Sequence, residues 1–519
     1  MAQISETKKS LLAELDQRVE DKILEPSNAA LLSKLITAAE DDDEAIAIAA
    51  LGTTYKRTGF HFDKRMEEPR KSNTIKYFKK NEDLSFGAAK EGGPVHKLII
   101  GDNYDALQNL LIEYRGRVDV IYIDPPYGRD SMGEFAETNY KNSITRDNLL
   151  SMLYFRLQLA KQLLSDNGVI FCSLDDKNQA YVKCLFDEIF YEKNFQGHIH
   201  WRRRHNQPND KTKMIGIVAE HILVYSKNAD YLKSFGVGKI ALTGSFSNPD
   251  NDPRGDWASK PWKAGSDQGG CEYDIISPSG KVFHEIWMGD ETTYKSLLDD
   301  GRIYFPNNGR GVPRKKYYKA EREKEGQCAS NWWPSSIFGH NQGANDLLTS
   351  IFGKKNEFSN PKPIELIIPL IQIASKKHDG IVLDFFAGSG TTGHAVLELN
   401  SSGDNRTFIL CQLNEKTDTT PNGIAYDVTS KRLKRIMTGE CYDGNKDFGW
   451  AAENEPYGGN LDVYEIAEIS NVSATPGKTP FDVIDETLYG QEKFKSAKEK
   501  INWVCSNFAH TQMTTNHEE

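Results

Sequence analysis

Short apolar segments alternate with helical segments in two separate stretches of this 519-residue chain, and that alternation constrains the fold more than any other feature. In the first stretch, the apolar strand HKLII (96–100) is followed by a helical segment, GDNYDALQNLL, and by the buried strand VDVIYID (118–124). An amphipathic helix over 148–166 precedes two more strands, GVIFCSL and HILVYS. Apolar strands that alternate with helices are typical of a mostly parallel sheet covered on both faces. The chain is therefore predicted to have an α/β fold.

The regular alternation is interrupted once and then resumes. Residues 230–350 are rich in glycine, proline, asparagine, aspartate and aromatic residues with weak periodicity, which indicates a loop-rich or mixed inserted domain. A helix over 361–375, a strand–turn–helix unit over 380–399 and a strand over 406–413 follow. We therefore expect five regions: an N-terminal helical extension (1–92), the first half of the core (93–230), an inserted domain (231–354), the second half of the core (355–440) and a C-terminal extension (441–519).

The N-terminal segment contains apolar residues at helical spacing, followed by the acidic run 40–44. Two interpretations are open: a surface helix with a solvated charge run, or a helix that contacts a second copy of the chain or another partner. The apolar residues concerned are Leu11, Leu12, Leu15, Val19, Ile23 and Leu24. The polar segment after about residue 440 allows no assignment.

Composition excludes several classes of protein. No stretch approaches the roughly 18 consecutive apolar residues of a transmembrane helix, and the N-terminal sequence lacks the apolar core of a signal peptide. The cysteines are scattered without a CxxC pair, which predicts reduced thiols in a cytoplasmic protein and no zinc site or disulfide framework. The seven cysteines are Cys172, Cys184, Cys271, Cys328, Cys411, Cys441 and Cys505.

The sequence Asp124-Pro125-Pro126-Tyr127 stands at the end of a buried strand, where open α/β sheets bind their ligands. An exocyclic amine is a poor nucleophile because its lone pair is delocalised into the ring. A carboxylate and a backbone carbonyl that each accept one of its N–H groups would draw the nitrogen toward tetrahedral geometry. Asp124 and the Pro125 carbonyl supply these acceptors, two prolines stiffen the loop, and Tyr127 offers a face on which a base can stack. The simpler interpretation is a turn after a core strand.

A glycine turn follows the strand IVL in the second half of the core. It reads Asp384-Phe385-Phe386-Ala387-Gly388-Ser389-Gly390-Thr391-Thr392. Gly388 and Gly390 permit a sharp turn and a close approach to a ligand, and the helix that begins near Thr391 presents free N–H groups. The spacing is DxFxGxG and contains no GxGxxG, so a dinucleotide site is disfavoured.

DPPY and DxFxGxG together resemble the N6-adenine DNA methyltransferases. DPPY comes first and Asp384 lies 260 residues after Asp124, an order similar to the beta group, in which a target-recognition domain separates the catalytic and cofactor halves. The resemblance covers roughly 96–226 and 355–416. It is closest to the modification (Mod) subunits of type III restriction–modification systems, on the long N-terminal segment, NDPRGDW and GANDLLTSIFG. Further matching positions are Gly101, Gly168, Asp175, Glu220, Lys362 and Pro363.

This resemblance implies a Rossmann-like, S-adenosylmethionine-dependent methyltransferase core with permuted motif order. It implies methyl transfer to N6 of a flipped-out adenine in double-stranded DNA, without a metal, by a homodimer that can join a restriction subunit. The DPPY residues would be catalytic, Lys362 would meet the methionine carboxylate, and Asp102 the adenine end. Many relatives place a ribose-binding acid where this chain has Gln412, so we favour Glu415 for that role. The cofactor-binding residues would be Asp102, Asn103, Lys362, Asp384, Phe386, Gly388, Gly390, Gln412 and Glu415.

Local basic clusters offset the net charge of -10, which is unusual for a nucleic-acid binder. One cluster is WRRRH (201–205), and the other, 301–320, contains six Lys or Arg, four aromatic residues and no acid. Such segments can follow phosphates while arginines read guanine edges; the alternative is a solvated basic surface. The predicted DNA contacts are Arg202, Arg203, Arg204, Arg310, Arg314, Lys315 and Lys316.

Four other functions are compatible with parts of the pattern. They are a stand-alone or type II adenine methyltransferase, an N4-cytosine methyltransferase, an RNA or protein-glutamine methyltransferase, and an inactive specificity subunit. Asp124 disfavours the second, since that family more often has serine there. The third usually carries NPPY and lacks the inserted domain, and the intact motifs disfavour the fourth. No cysteine lies in the PPY turn, so a covalent enzyme intermediate is not expected. The sequence contains no GxxxxGK[ST] motif, so helicase activity is not expected either.

Overall fold

The computed structural model describes residues 5–20, 24, 26–51, 74–88, 93–126, 145–207, 214–242, 244–355 and 357–470. The chain divides into two compact units, Met1–Asp63 and Lys64–Glu519. The first unit contains the helices α1 (Glu6–Glu20), α2 (Pro26–Ala38) and α3 (Asp42–Leu51).

The three helices of the first unit share a small apolar core. Leu15 of α1 is buried with Ile36 of α2 and Ala45 of α3, and Leu11 and Leu12 pack against this cluster. The predicted leucine helix therefore contacts the other two helices of its own unit; Ile23 lies outside the described residues. The acidic run falls at the start of α3, where negative charge is favourable beside free N–H groups.

The described residues of the second unit form one large sheet and two small ones. Its strands, in chain order, are β1 (Thr74–Lys80), β2 (Phe86–Ala88), β3 (Val95–Ile100), β4 (Val118–Ile123), β5 (Leu164–Leu174), β6 (Phe195–Arg202), β7 (Ala219–Ser226), β8 (Trp257–Pro261), β9 (Cys271–Ile276), β10 (Val282–Trp287), β11 (Ile303–Tyr304), β12 (Arg314–Tyr318), β13 (Trp332–Trp333), β14 (Ile381–Asp384), β15 (Thr407–Gln412) and β16 (Gly459–Ser470).

Helices connect most of these strands. They are α4 (Asn103–Tyr114), α5 (Thr145–Leu163), α6 (Gln179–Phe190), α7 (Ala229–Phe235), α8 (Glu291–Asp299), α9 (Lys319–Glu325), α10 (Ser335–Phe338), α11 (Asn341–Phe352), α12 (Ile364–Ala374), α13 (Thr391–Ser401), α14 (Lys431–Thr438) and α15 (Gly449–Glu453), with short helical turns at Glu192–Asn194, Pro306–Gly309 and Ala425–Ser430. No helix in the described part of the chain is long and apolar enough to cross a membrane.

The large sheet has the order β1-β16-β3-β15-β14-β4-β5-β7-β6-β13, with β2 paired to β16. Strands β16, β3, β15, β14, β4 and β5 run parallel, whereas β1 and β7 are antiparallel to their neighbours. The predicted α/β fold with a mostly parallel sheet is confirmed. Because β14 and β15 of the second half lie between β3 and β4 of the first half, the two stretches of alternating pattern form one sheet.

The central strands are apolar because both faces are covered. All six residues of β4 are buried, and Val120 and Tyr122 share one core with Val382, Leu410, Leu370 of α12 and Val396 of α13. Strands buried on both faces are expected to be continuous apolar runs without alternation. This explains why these strands could be predicted from the sequence.

Two small sheets, β10-β9 and β11-β12-β8, occupy the middle of the region expected to be inserted. They have their own small core, which includes Trp262, Trp287 and Tyr294. Within the same expected region, however, β13 pairs with β6 of the large sheet, and Ile351 of α11 belongs to the main core.

The large sheet also recruits strands from both segments expected to be extensions. Strand β16 lies between β3 and β1, in parallel register with β3 and antiparallel register with β1. Its residues Leu461 and Val463 are fully buried. Residues 74–80 and 459–470 are thus structural parts of the core sheet.

Candidate active site

The carboxyl ends of four adjacent strands, β3, β15, β14 and β4, meet at one edge of the large sheet. In open parallel sheets, ligands bind outside the carboxyl ends of the strands. A cavity of about 210 Å³ lies at this edge. It is lined by Asp102, Asn103, Asp124, Pro126, Met152, Phe358, Phe385, Phe386, Gly388, Gln412, Leu413, Glu415 and Ile424.

The cavity brings together residues that the sequence motifs predicted separately. Asp124 and Pro126 come from the DPPY sequence, Phe386 and Gly388 from the glycine turn, and Glu415 from the segment after β15. Pro125, Lys362, Asp384 and Gly390 are not among the lining residues. Tyr127 lies outside the described residues.

Gly388 closes the turn after β14 against the cavity. Its φ of +52° lies in the left-handed region, which favours glycine. Its N–H donates to Oε1 of Gln412 at 2.6 Å, and its carbonyl accepts from Oγ1 of Thr429 at 2.7 Å. A Cβ atom at this position would come within 3.1 Å of the Phe358 ring. Gln412, a candidate for the ribose contact, is thus engaged in holding the turn.

Gly390 plays a different part from the one expected. It precedes α13 with a φ of +80°, and a Cβ atom there would contact Thr429 at 3.3 Å. Because that direction leads toward packed protein, Gly390 does not form the close-approach position of the cavity. Its conformation starts the helix, which explains the need for glycine.

Asp384 is buried beneath the glycine turn. Its Oδ1 accepts from the backbone N–H of Phe386 at 3.0 Å, and its Oδ2 accepts from Oγ1 of Thr392 at 2.5 Å. Burial raises the pKa of Asp384 to about 7, although both hydrogen bonds favour the ionised form. Asp384 therefore stabilises the turn from within.

Asp102 and Asn103 begin α4 at the floor of the cavity. Asp102 caps the helix by accepting from the N–H of Tyr104 at 2.7 Å, and it forms an ion pair with the fully buried Arg156 at 3.0 Å. Nδ2 of Asn103 donates to the Phe385 carbonyl at 2.7 Å, which ties α4 to the glycine turn. Arg156 also contacts Asn103.

Lys362 connects the catalytic sequence to a buried acid. Its ammonium lies 2.9 Å from Oδ2 of Asp124 and 2.9 Å from Oε2 of Glu220, and Glu220 also pairs with Arg203 at 2.8 Å. Burial opposes the charged form of Lys362, but the two carboxylates outweigh it and raise the pKa of Lys362 above its ordinary value. Burial likewise opposes ionisation of Glu220, yet Lys362 and Arg203 lower its pKa. Lys362, which the resemblance places at a cofactor carboxylate, contacts Asp124 and Glu220 in this structure.

The residues predicted to contact DNA differ in their exposure and in their hydrogen-bond partners. Arg204 and Arg310 are exposed, and Lys315 is partly exposed. Arg202 is partly exposed and donates to the carbonyls of Arg204 and His205, and Arg314 donates to Oγ and the carbonyl of Ser259.

Two of the predicted contacts are corrected by the structure. Lys316 is 4% exposed, and its ammonium pairs with Asp252 at 2.8 Å and with Asp250, so it is a buried structural cation. Arg203 points to Glu220, which places its guanidinium in the active-site ion network. Each residue stands in one of the two basic clusters, but Lys316 is buried and the partly exposed Arg203 is paired with Glu220.

Two site residues, Arg156 and Phe358, were not predicted from the sequence, and Glu220 was noted only as a position that matches the family, without a role. Glu220 stands in the apolar strand β7 and is 2% exposed. An acid inside an apolar strand is a signal in its own right, since a buried carboxylate needs a partner. Phe358 comes from an irregular segment, and no local pattern places its ring at the cavity.

Comparison with known proteins agrees with this arrangement. A family model described as DNA methylase (N6_N4_Mtase) matches residues 118–419. A second model, of an uncharacterised conserved protein, matches residues 8–120.

Three curated relatives illustrate the similarity. The chain is 35% identical over 363 residues to the type III restriction-modification enzyme StyLTI Mod subunit of Salmonella typhimurium, covering 64% of this chain and 55% of that protein. It is 29% identical over 416 residues to the EcoP15I Mod subunit of Escherichia coli, covering 66% and 63%. It is also 29% identical over 391 residues to the type II methyltransferase M.KpnI of Klebsiella pneumoniae, covering 65% and 87%. The chain thus spans less than two thirds of the length of the two Mod subunits.

Proposed function

The chain belongs to the DNA methylase family (N6_N4_Mtase), and we propose that it transfers a methyl group from S-adenosylmethionine to N6 of adenine in double-stranded DNA. The observation that carries this proposal is the cavity at the sheet edge. It joins Asp124, the acceptor suited to an exocyclic amine, to the glycine turn suited to a cofactor. The two motifs are 260 residues apart in sequence, and only the sheet order brings them together.

The chemistry of the cavity lining fits S-adenosylmethionine. The cofactor contains a planar adenine, a ribose diol and a cationic sulfonium. Phe358, Phe386 and Ile424 offer apolar surfaces for the adenine, and Glu415 is our candidate for the ribose hydroxyls. Asp102 remains the candidate for the adenine end. When bound, the cofactor supplies an electrophilic methyl group that needs no further activation.

The protein's own residues position the target amine for methyl transfer. A paired N6 is out of reach inside a duplex, so the target adenine has to leave the stack. Its two N–H groups then donate to the Asp124 carboxylate and the Pro125 carbonyl. Lys362 pairs with Asp124 at 2.9 Å and so restrains the orientation of its carboxylate. Preorganised acceptors of this kind avoid reorganisation at the moment of reaction.

We propose that the protein acts on DNA in the cytoplasm. The relatives support a role as the modification subunit of a type III restriction–modification system, working with a restriction subunit. We propose a homodimer, in which one copy performs chemistry while the other contributes recognition. Light scattering checks this point: twice the chain mass of 58.5 kDa supports a dimer, and a fully active monomer contradicts it.

Asp124→Ala tests the proposed function. Loss of a preorganised acceptor lowers the methylation rate by on the order of 100-fold, whereas S-adenosylmethionine binding, measured by calorimetry, is nearly unchanged. The matched control is Asp166→Ala, which removes an exposed aspartate paired with Lys227 and keeps full activity. A variant at Asp124 that retains more than about a tenth of the rate contradicts the role proposed here.

A further inference from the structure

Three histidines that do not line the active-site cavity form a cluster on the large sheet. His198 and His200 are two residues apart on β6 and share one face, and His221 on β7 is the cross-strand partner of His200. The ring centroids are 4.5 to 5.4 Å apart. His221 directly follows Glu220, and successive residues of a strand point to opposite faces. The cluster and the Lys362–Glu220 pair therefore lie on opposite faces of the sheet.

The ring nitrogens converge. One nitrogen from each histidine lies within 4.8 Å of the other two, and Nδ1 of His221 lies 2.9 Å from Nε2 of His198. Tetrahedral zinc with bonds of about 2.0–2.1 Å holds its nitrogen ligands roughly 3.3 Å apart. Small side-chain rotations would therefore reach this spacing, with the closest pair opening slightly.

Asp176 orients one of these rings. Its Oδ1 lies 2.8 Å from Nε2 of His221, at the end of the ring that points away from the cluster. A carboxylate that accepts the Nε2–H proton fixes the tautomer, so Nδ1 carries its lone pair toward His198 and His200. Histidines that bind metals are commonly held by a carboxylate in this way.

The protonation states suit metal binding too. Burial, followed by the nearby His200, His221 and Lys183, lowers the pKa of His198 to about 4. Burial and His221 lower the pKa of His200, against the opposing effect of Asp176. Both shifts favour the neutral imidazole, which is the form that binds a metal ion. All three side chains are half-buried, so an ion can enter from solvent.

We propose that His198, His200 and His221 bind one divalent transition-metal ion, with zinc the best fit, through Nε2 of His198, Nδ1 of His221 and one nitrogen of His200. Three imidazole ligands suit zinc, nickel and copper and do not suit magnesium or calcium, which prefer oxygen. The fourth position would be open to water. The ion would join β6 to β7 beside the end of β5, since Asp176 follows β5. The scattered cysteines and the methyl-transfer chemistry are the grounds for expecting no metal site. Neither of them concerns these histidines.

Zinc titration of the full-length, tag-free chain after removal of metals tests the proposal. The expected result is one zinc ion per chain by calorimetry, and visible absorption typical of tetrahedral cobalt when Co²⁺ replaces zinc. His221→Ala is expected to weaken zinc binding by more than about 100-fold, and Asp176→Asn by about 10- to 100-fold. The matched control is His284→Ala, which removes an exposed histidine beside Asp274 and Glu272 and leaves zinc binding unchanged.

Two further measurements keep the result interpretable. Circular dichroism and the metal-free melting temperature establish that each variant folds, and His200→Gln replaces His221→Ala if the latter does not. The proposal is overturned if the wild-type chain binds zinc no more tightly than the folded variants do. It is also overturned if His284→Ala alone abolishes binding, since the ion would then lie on the β9–β10 hairpin.

Discussion

Lys362 is expected to be a stabilising residue of the fold as well as part of the active site. Its ammonium lies 2.9 Å from both Asp124 and Glu220, and the side-chain exposures of the three groups are 8%, 26% and 3%. Lys362→Met removes the cation and leaves two carboxylates near each other. Loss of one partner from a buried ion pair costs about 3–5 kcal/mol. Water reaches Asp124, and Glu220 retains Arg203, so we expect about 3 kcal/mol.

Denaturant unfolding of the full chain measures this cost, and a second substitution identifies its cause. Glu220→Gln removes the most deeply buried of the two carboxylates. In the Lys362→Met background it should recover part of the lost stability, with a coupling energy of at least about 1 kcal/mol, since directly interacting residues couple by roughly 0.5–3 kcal/mol. Lys295→Met is the matched control: its pair with Glu291 is exposed, so it should cost no more than about 1 kcal/mol.

The reasoning is refuted if Lys362→Met costs no more than Lys295→Met, or if the effects of Lys362→Met and Glu220→Gln simply add. The first result would mean that the ion pairs of Lys362 contribute no net stability, and the second that Lys362 and Glu220 are not coupled energetically. The placement of Lys362 would then have only a catalytic explanation.

Three further outcomes follow from the site and the inserted region. Asp384→Asn should flatten the pH dependence of stability: burial raises the pKa of Asp384 from 3.8 to about 7, so its contribution is full below pH 4 and lost as the pH rises through 7. The unfolding free energy of the wild-type protein should therefore fall by about 4 kcal/mol between pH 4 and 8, and that of the variant should not. An equal fall in the wild-type protein and the variant would count against this prediction. Gly388→Ala should weaken S-adenosylmethionine binding more than Gly390→Ala, because only Gly388 lines the cavity; equal affinities by calorimetry would reject that difference. Exchanging 231–354 for the segment of a relative should change the methylated sequence but keep the methylated atom, and an active hybrid with its original specificity would place recognition elsewhere.

The central strands and the glycine turn could be predicted from the sequence because their signals are local. Buried parallel strands are continuous apolar runs, and Gly388 and Gly390 mark a turn whose positive φ angles need glycine. The sequence also indicated which motifs belong to one site, since the carboxyl ends of parallel strands share an edge.

Other features depend on contacts between distant segments, which leave no local signal. Strand β16 is polar on part of its length, and only its pairing with β1 and β3 makes it a core strand. Lys316 belongs to a basic run, yet its side chain is buried in an ion pair with Asp252, which is distant in sequence. The placement of Lys362 between Asp124 and Glu220 likewise requires three elements to be packed before it can be seen.

The identity of the modified base tests the central claim most directly. Duplex DNA is incubated with the purified chain and S-adenosylmethionine carrying a deuterated methyl group, then digested to nucleosides for mass spectrometry. The label is expected in N6-methyldeoxyadenosine, and Asp124→Ala should remove it while the cofactor still binds. The substrate DNA contains the recognition sequence, which is identified by sequencing cellular DNA. Label in N4-methyldeoxycytidine would contradict the account, and so would the absence of label from every nucleoside.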